Sequence, residues 1–245
     1  PLDIGPPHRI LTRSTRTIRR FGIRCRADLD ISRGGISTRF SGWIGHTRKE
    51  FKVKKLLAAA VAALALTAPV LAEDLNIVGD YTLTSDFDGT INISNGTLTL
   101  NGCRVSGSIY QTGPGSVVLN NGARVFGNIF ETDVGGVLLN RGMVFGNIQE
   151  LGAGTVTISS TSAVIGTIIE RFMGSVLNSG LVIGNIYEFG SGFVVVSGRV
   201  VGNIEEAWEG DVIIEPTGRV EGNVYEKDQG TVYNRGYVEG DVESN

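Results

Sequence analysis

Six glutamates recur at nearly even intervals: Glu131, Glu150, Glu170, Glu188, Glu206 and Glu226. Each stands two residues after an Ile or Val, and Gln111 takes the same place one repeat earlier. Carboxylates at such intervals meet only if the chain coils back once per interval. One strand spacing apart they repel by ~1 kcal/mol per pair in water and several-fold more at low dielectric. Three arrangements relieve that repulsion. The side chains splay into solvent at a corner, share protons, or bind Ca²⁺ through their oxygens. Exposure at a corner is the expected arrangement. Ca²⁺ is the one cofactor the pattern suggests, without the Asp/Gly-rich nonapeptide of dedicated calcium repeats. Just before these positions Tyr110, Phe130, Tyr187 and Tyr225 form an intermittent aromatic line. As exposed rings they would stack on a sugar or a partner surface. As corner-packing rings they need no ligand, which is the simpler reading.

Other chemistry is excluded by what is missing. From residue 73 onward there is no His and a single Cys, Cys103, so His-based triads, His/Cys zinc sites and an internal disulfide are ruled out. Cys103 occupies the repeat position of Ala123 and reads as a small packing residue. Glycoside hydrolysis needs two carboxyls at a defined separation, and an even series singles out no pair. No catalytic residue is assigned and an enzyme is not expected. Residues 73–245 carry 8 Lys+Arg against 21 Asp+Glu, a charge of −13 that repels nucleic-acid phosphates.

The elements that would position the glutamates follow from an internal repeat. The motif Val-x-Gly-(Asn/Ser/Thr/Asp)-(Ile/Val) runs from Val105-Ser106-Gly107-Ser108-Ile109 to Val238-Glu239-Gly240-Asp241-Val242. Its glycines are residues 107, 127, 146, 166, 184, 202, 222 and 240, with a weaker first copy at Gly89-Thr90-Ile91. Val, Gly and Ile alternate, the period of a strand with one buried face. A second strand lies between the glycines, carrying pairs such as Val117/Leu119, Val137/Leu139 and Val212/Ile214. Asn120-Asn121-Gly122 and Asn140-Arg141-Gly142 supply corners. The residue after each motif glycine, most often Asn, would stack its amide along the axis. Trp208 falls in an insertion, Ala207-Trp208-Glu209-Gly210, read as a loop tip.

The pattern predicts an all-β fold, a parallel β-solenoid (β-helix) of about nine coils of 18–20 residues. The strict six-residue spacing of left-handed hexapeptide helices is missing, so the expected coil is right-handed. Residues 89–245 form the repeat domain. Residues 73–88 lack the motif and are expected to cap the stack. The chain ends directly after its last motif, at Val242-Glu243-Ser244-Asn245, which leaves a coil edge expected to stack on another copy.

Upstream, Lys54-Lys55, the apolar run Leu56 to Leu66 and Val70-Leu71-Ala72 make residues 53–72 a signal peptide cleaved after Ala72. The run is too short for a good membrane span, which needs ~20 apolar residues, so no transmembrane span is expected after cleavage. Residues 1–52 carry ten Arg and a charge of +8. They are read as a disordered, misread upstream segment, with Val53 as the true start. A Lys49-Glu50 pair, whose codons can spell a ribosome-binding sequence, supports that start. A basic arm for nucleic acid or a membrane is the rival reading.

The repeats Gly198-Arg199-Val200-Val201-Gly202-Asn203-Ile204 and Gly218-Arg219-Val220-Glu221-Gly222-Asn223-Val224 resemble those of bactofilins, as does Gly236-Tyr237-Val238-Glu239-Gly240-Asp241-Val242. Autotransporter passengers carry similar Gly/Val repeats. The bactofilin resemblance covers about residues 89–242 and implies a right-handed β-helix that polymerises without nucleotide. The export signal and the glutamate series depart from that resemblance, since bactofilins are cytoplasmic. The expected protein is an exported, periplasmic or extracellular, non-enzymatic structural solenoid that self-associates end to end into filaments or a surface layer. The alternative is a monomeric adhesin or module binding glycan, calcium or a cell-surface partner. A polysaccharide-active enzyme stands third.

Overall fold

The computed structural model describes residues 26–32, 35–41 and 73–244. The expected start at Val53, the signal peptide 53–72 and the cleavage after Ala72 lie outside the described residues. The chain divides into two units, Pro1–Pro69 and Val70–Asn245. In the first, Arg26–Ser32 pairs antiparallel with Gly35–Ser41, from Arg26 opposite Ser41 to Ser32 opposite Gly35. This regular ladder stands within the segment expected to be disordered. Ala27, Leu29 and Ile31 alternate with polar residues there, a short period-2 signal that the arginine-rich composition obscures. No helix among the described residues is long and apolar enough to cross a membrane.

The second unit is a parallel β-solenoid of about nine turns. Each turn contributes one strand to each of three sheets. One turn runs through Ile129–Glu131, Gly135–Asn140 and Met143–Val144. The sheets hold ten, nine and eight strands in sequential order, every neighbour parallel. Register is constant. Ile129 lies opposite Ile109 and Ile148, Val137 opposite Val117 and Val156, and Val144 opposite Val125 and Val164. Parallel strands suit β-branched residues buried in a stack, and these ladders of Ile, Val and Leu are solvent-free throughout the middle turns. Segment 73–88 joins the same scheme. Leu75–Val78 pairs with Ile91–Ser94, Tyr81–Leu83 with Leu98–Asn101, and Phe87 bridges Val105, so it forms the first turn.

The repeat motif is a corner and not one strand. Val144 ends a strand of the third sheet, Gly146 turns, and Ile148 opens a strand of the first sheet. Val, Gly and Ile keep alternate parity because both flanking residues face the same core. A Cβ on Gly146 would stand 2.4 Å from the carbonyl oxygen of Gly127 one turn earlier, so the backbones here touch directly. The Asn that follows does not stack amide on amide. Asn128 Oδ1 accepts the backbone N–H of Asn147 at 2.8 Å, Asn147 that of Thr167 at 2.8 Å, and Asn203 that of Asn223 at 2.9 Å. Each asparagine thus pairs an otherwise orphaned corner N–H of the next turn. The corner between the second and third sheets takes small residues. Cys103 is buried there, in the ladder of Ala123, with its Sγ donating to the Leu83 carbonyl at 3.3 Å.

Replacing Gly146 by Ala forces that contact open and should cost about 1–3 kcal/mol. Gly122, at φ +84° with open space around it, should lose only about 1 kcal/mol as Ala. Urea unfolding midpoints of the two variants test the ranking.

Candidate functional site

The six glutamates do meet, and they meet inside the core. Ile and Glu two residues apart share a strand face, so a strand that buries its Ile also buries its Glu. Glu131, Glu150, Glu170, Glu188 and Glu206 are fully buried and Glu226 is 2% exposed. They lie in register: Glu131 beside Glu150, Glu150 beside Glu170, Glu170 beside Glu188, Glu188 beside Glu206, and Glu206 beside Glu226. The expectation that they splay into solvent is therefore corrected. The column is closed by neutral residues, Gln111 and then Ile93 at one end and Ser244 at the other.

A glycine four residues after each glutamate makes the room. Gly135 opens a strand of the second sheet, Gly154, Gly174, Gly192 and Gly210 immediately precede theirs, and Gly230 stands two residues before its own. A Cβ on Gly154 would stand 2.1 Å from the Gly135 carbonyl oxygen and 2.9 Å from Glu150 Oε1. On Gly174 it would stand 2.5 Å from Glu170 Oε1. The carboxyl thus fills the hollow under a tight corner. There Glu131 Oε1 accepts the N–H of Asp133 at 3.2 Å and Glu150 Oε1 that of Gly152 at 3.1 Å. Glu226 Oε1 accepts from both Asp228 at 2.9 Å and Gly230 at 3.1 Å. Gln111 does the converse, donating from Nε2 to the Gly113 carbonyl at 2.7 Å. The interval of four between Glu and Gly is visible in the sequence and was the signal for this third corner.

These bonds do not satisfy the column. Both oxygens of Glu170, Glu188 and Glu206 lack a hydrogen-bond partner, as does Oε2 of Glu131, Glu150 and Glu226. No Lys, Arg or His is buried among the described residues. The cations pair on the outer surface: Arg199 and Arg219 with Glu221, Lys227 with Glu205, and Arg235 with Glu215. Burial pushes the Glu131 carboxyl up to about 8, and the neighbouring Glu150 carboxyl adds to the rise. Burial and then the carboxyls of Glu188 and Glu150 push Glu170 up to about 10. Burial and then Glu188 push Glu206 up to about 9, with Glu226 contributing. Desolvation dominates in all three because no cation offsets it. No group of three or more His, Cys, Asp or Glu among the described residues is arranged to hold a metal ion.

The aromatic line lies on the outer face of the first sheet, not in a corner. Tyr110 and Phe130 stack with centroids 4.8 Å apart. The Tyr187 and Tyr225 hydroxyls accept from Asn185 at 2.9 Å and Asn223 at 2.7 Å. Gln149, Ile169 and Glu205 interrupt the column, so the four rings make no continuous platform. Trp208 is 65% exposed at φ +118°, as a loop tip should be. Beside it lie two shallow depressions, lined by Trp208, Glu209, Asp228 and Gln229 and by Phe193, Glu209, Asp211 and Gln229 with two glycines. No family model matches this sequence, and no curated protein or solved structure shows significant similarity to it.

A Gln at any column position should be tolerated as Gln111 is. Glu150→Gln should leave stability at pH 7 unchanged or raised. Glu150→Ala, which strands the Gly152 N–H and opens a hole, should cost about 1–3 kcal/mol. Chemical unfolding of the two variants measures the difference.

Proposed function

We propose that the solenoid is a non-enzymatic structural rod that self-associates end to end. The observation that carries this reading is the match between its first and last described turns. Leu75 and Val242 hold the same repeat position, as do Phe87 and Val238, and Tyr81 and Val232. Val242 is 44% and Tyr81 39% exposed, while Leu75, Phe87, Val232 and Val238 are covered on one side only. A second copy set head to tail would continue all three apolar ladders and pair the open strand edges. It would bring no glutamate to the junction's inner column, because Ser244 and Ile77 stand there. The bactofilin-like repeats support the same reading. The burial of all six glutamates argues against catalysis, since no substrate reaches them. Export is part of the proposal, supported by Lys54-Lys55, the run Leu56 to Leu66 and Val70-Leu71-Ala72.

Purified protein over a concentration series should give filaments in negative-stain micrographs, with calcium or with chelator alike. Val242→Asp should leave single short rods by placing a charge at the junction. Rods that never lengthen at any concentration would defeat the reading.

The exposed Trp208, at a depression also lined by Glu209, Asp228 and Gln229, favours a second reading, a glycan-binding module. Quenching of tryptophan fluorescence by saccharides, lost in Trp208→Ala, would support it and not the filament reading.

A further inference from the structure

We propose that the glutamate column is a proton-binding site, holding about one proton for each neighbouring pair of carboxyls, and that losing those protons loosens the solenoid. The geometry is the argument. Six carboxyls lie in consecutive turns, about 4.8 Å apart by strand spacing, in a core that excludes water. Two such neighbours do not both stay ionised, because each charge has lost its hydration and faces a like charge. A proton held by one carboxyl becomes a donor to the next, and so gives a partner to oxygens that otherwise have none. Only the carboxyl's own proton can do this, since the corner N–H groups reach one oxygen of a residue at most.

The surroundings supply no other counter-charge. Gln111 and Ser244 bound the column, and the second and third sheets turn Val, Leu, Ile and the neutral Asn178 towards the core. Asp133 faces Glu131 from the corner and adds to the repulsion. Arg171, next to Glu170 in the strand, points to the exposed face, and Lys227, next to Glu226, pairs with Glu205 outside. The upward shifts agree with the geometry, and they fall on alternate members of the column, Glu131, Glu170 and Glu206.

The consequence runs opposite to ordinary acid denaturation. A carboxyl whose folded-state pKa is raised keeps a proton that the unfolded chain has lost, so raising the pH favours unfolding. This contribution is whole below the ordinary value of 4.5 and is lost as pH rises through folded values of about 8 to about 10. Within that window the folded-to-unfolded ratio should fall by about tenfold per pH unit for each proton held. The rod should be firmer in mild acid than in base, whether or not it forms filaments.

Two measurements test this. Urea unfolding of the purified protein from about pH 5 to about pH 10 should show stability falling throughout. The triple variant Glu131→Gln, Glu170→Gln, Glu206→Gln should lose most of that slope. A flat or rising profile in the native protein, or an equal slope in the variant, would overturn the proposal. Infrared spectra of the native protein do not depend on the variant folding. A buried carboxylic-acid C=O band should persist at pH 7 and weaken markedly towards the alkaline end of the window. Its absence at pH 7 would overturn the proposal equally.

Discussion

Every feature of this solenoid depends on one constraint, the exact stacking of each turn on the last through parallel backbone hydrogen bonds. Constant register turns each repeat position into a column, so a residue must be compatible with near-copies of itself about 4.8 Å above and below. Ile, Val and Leu satisfy that condition through contact. Asparagine satisfies it at one corner because its carbonyl accepts the next turn's N–H, as from Asn128 to Asn147. Glycine satisfies it where backbones touch, as Gly146 does against Gly127. Even Asn178, which interrupts an apolar column, is paired twice, accepting from Gly180 and donating to the Arg199 carbonyl.

Glutamate is the residue that fits this rule worst. In a column it brings like charges together, and in the core it brings them without water or cations. At three of the six turns the corner between the first and second sheets gives the carboxyl a partner, since Oε1 of Glu131, Glu150 and Glu226 accepts backbone N–H groups there. The glycine four residues later is required first by the backbone of the previous turn, since a Cβ on Gly154 would stand 2.1 Å from the Gly135 carbonyl oxygen, and it also leaves room for the Glu150 carboxyl. The outer surface is freer. Arg199, Arg219 and Glu221 form a small network there, and Arg104 lies 4.4 Å over the Phe126 ring. Such exposed pairs contribute little, consistent with their variation from turn to turn.

The uniform columns also shape the functional reading. A catalytic site needs a few residues set apart from the rest, and the buried glutamates are nearly equivalent. What differs is found at the ends and at the Trp208 corner, where a strained aromatic backbone stands exposed. The ends carry matched apolar positions, which is the geometry of a unit able to continue itself. For the proposed end-to-end contact, the register identifies the residues that would meet.

Solenoid architecture, the length of the turn, the apolar columns and the small-residue place of Cys103 were determined by the sequence alone. They rest on local period and on repetition, which survive without knowledge of any contact. The same parity placed Glu150 on the face of Ile148, yet a charge read in isolation belongs to water, and so exposure was expected. Only the tertiary structure decided otherwise, because burial of a carboxyl depends on what folding places around it. For Glu150 that is a hollow under its own corner, the Gly152 N–H, and the stacked carboxyls of Glu131 and Glu170 in the adjacent turns. The division of the Val-x-Gly-Asn-Ile motif between two sheets was decided there too. Alternation reports which way a side chain faces the core, but the bend that carries the chain from one sheet to the next is a long-range fact of the stack.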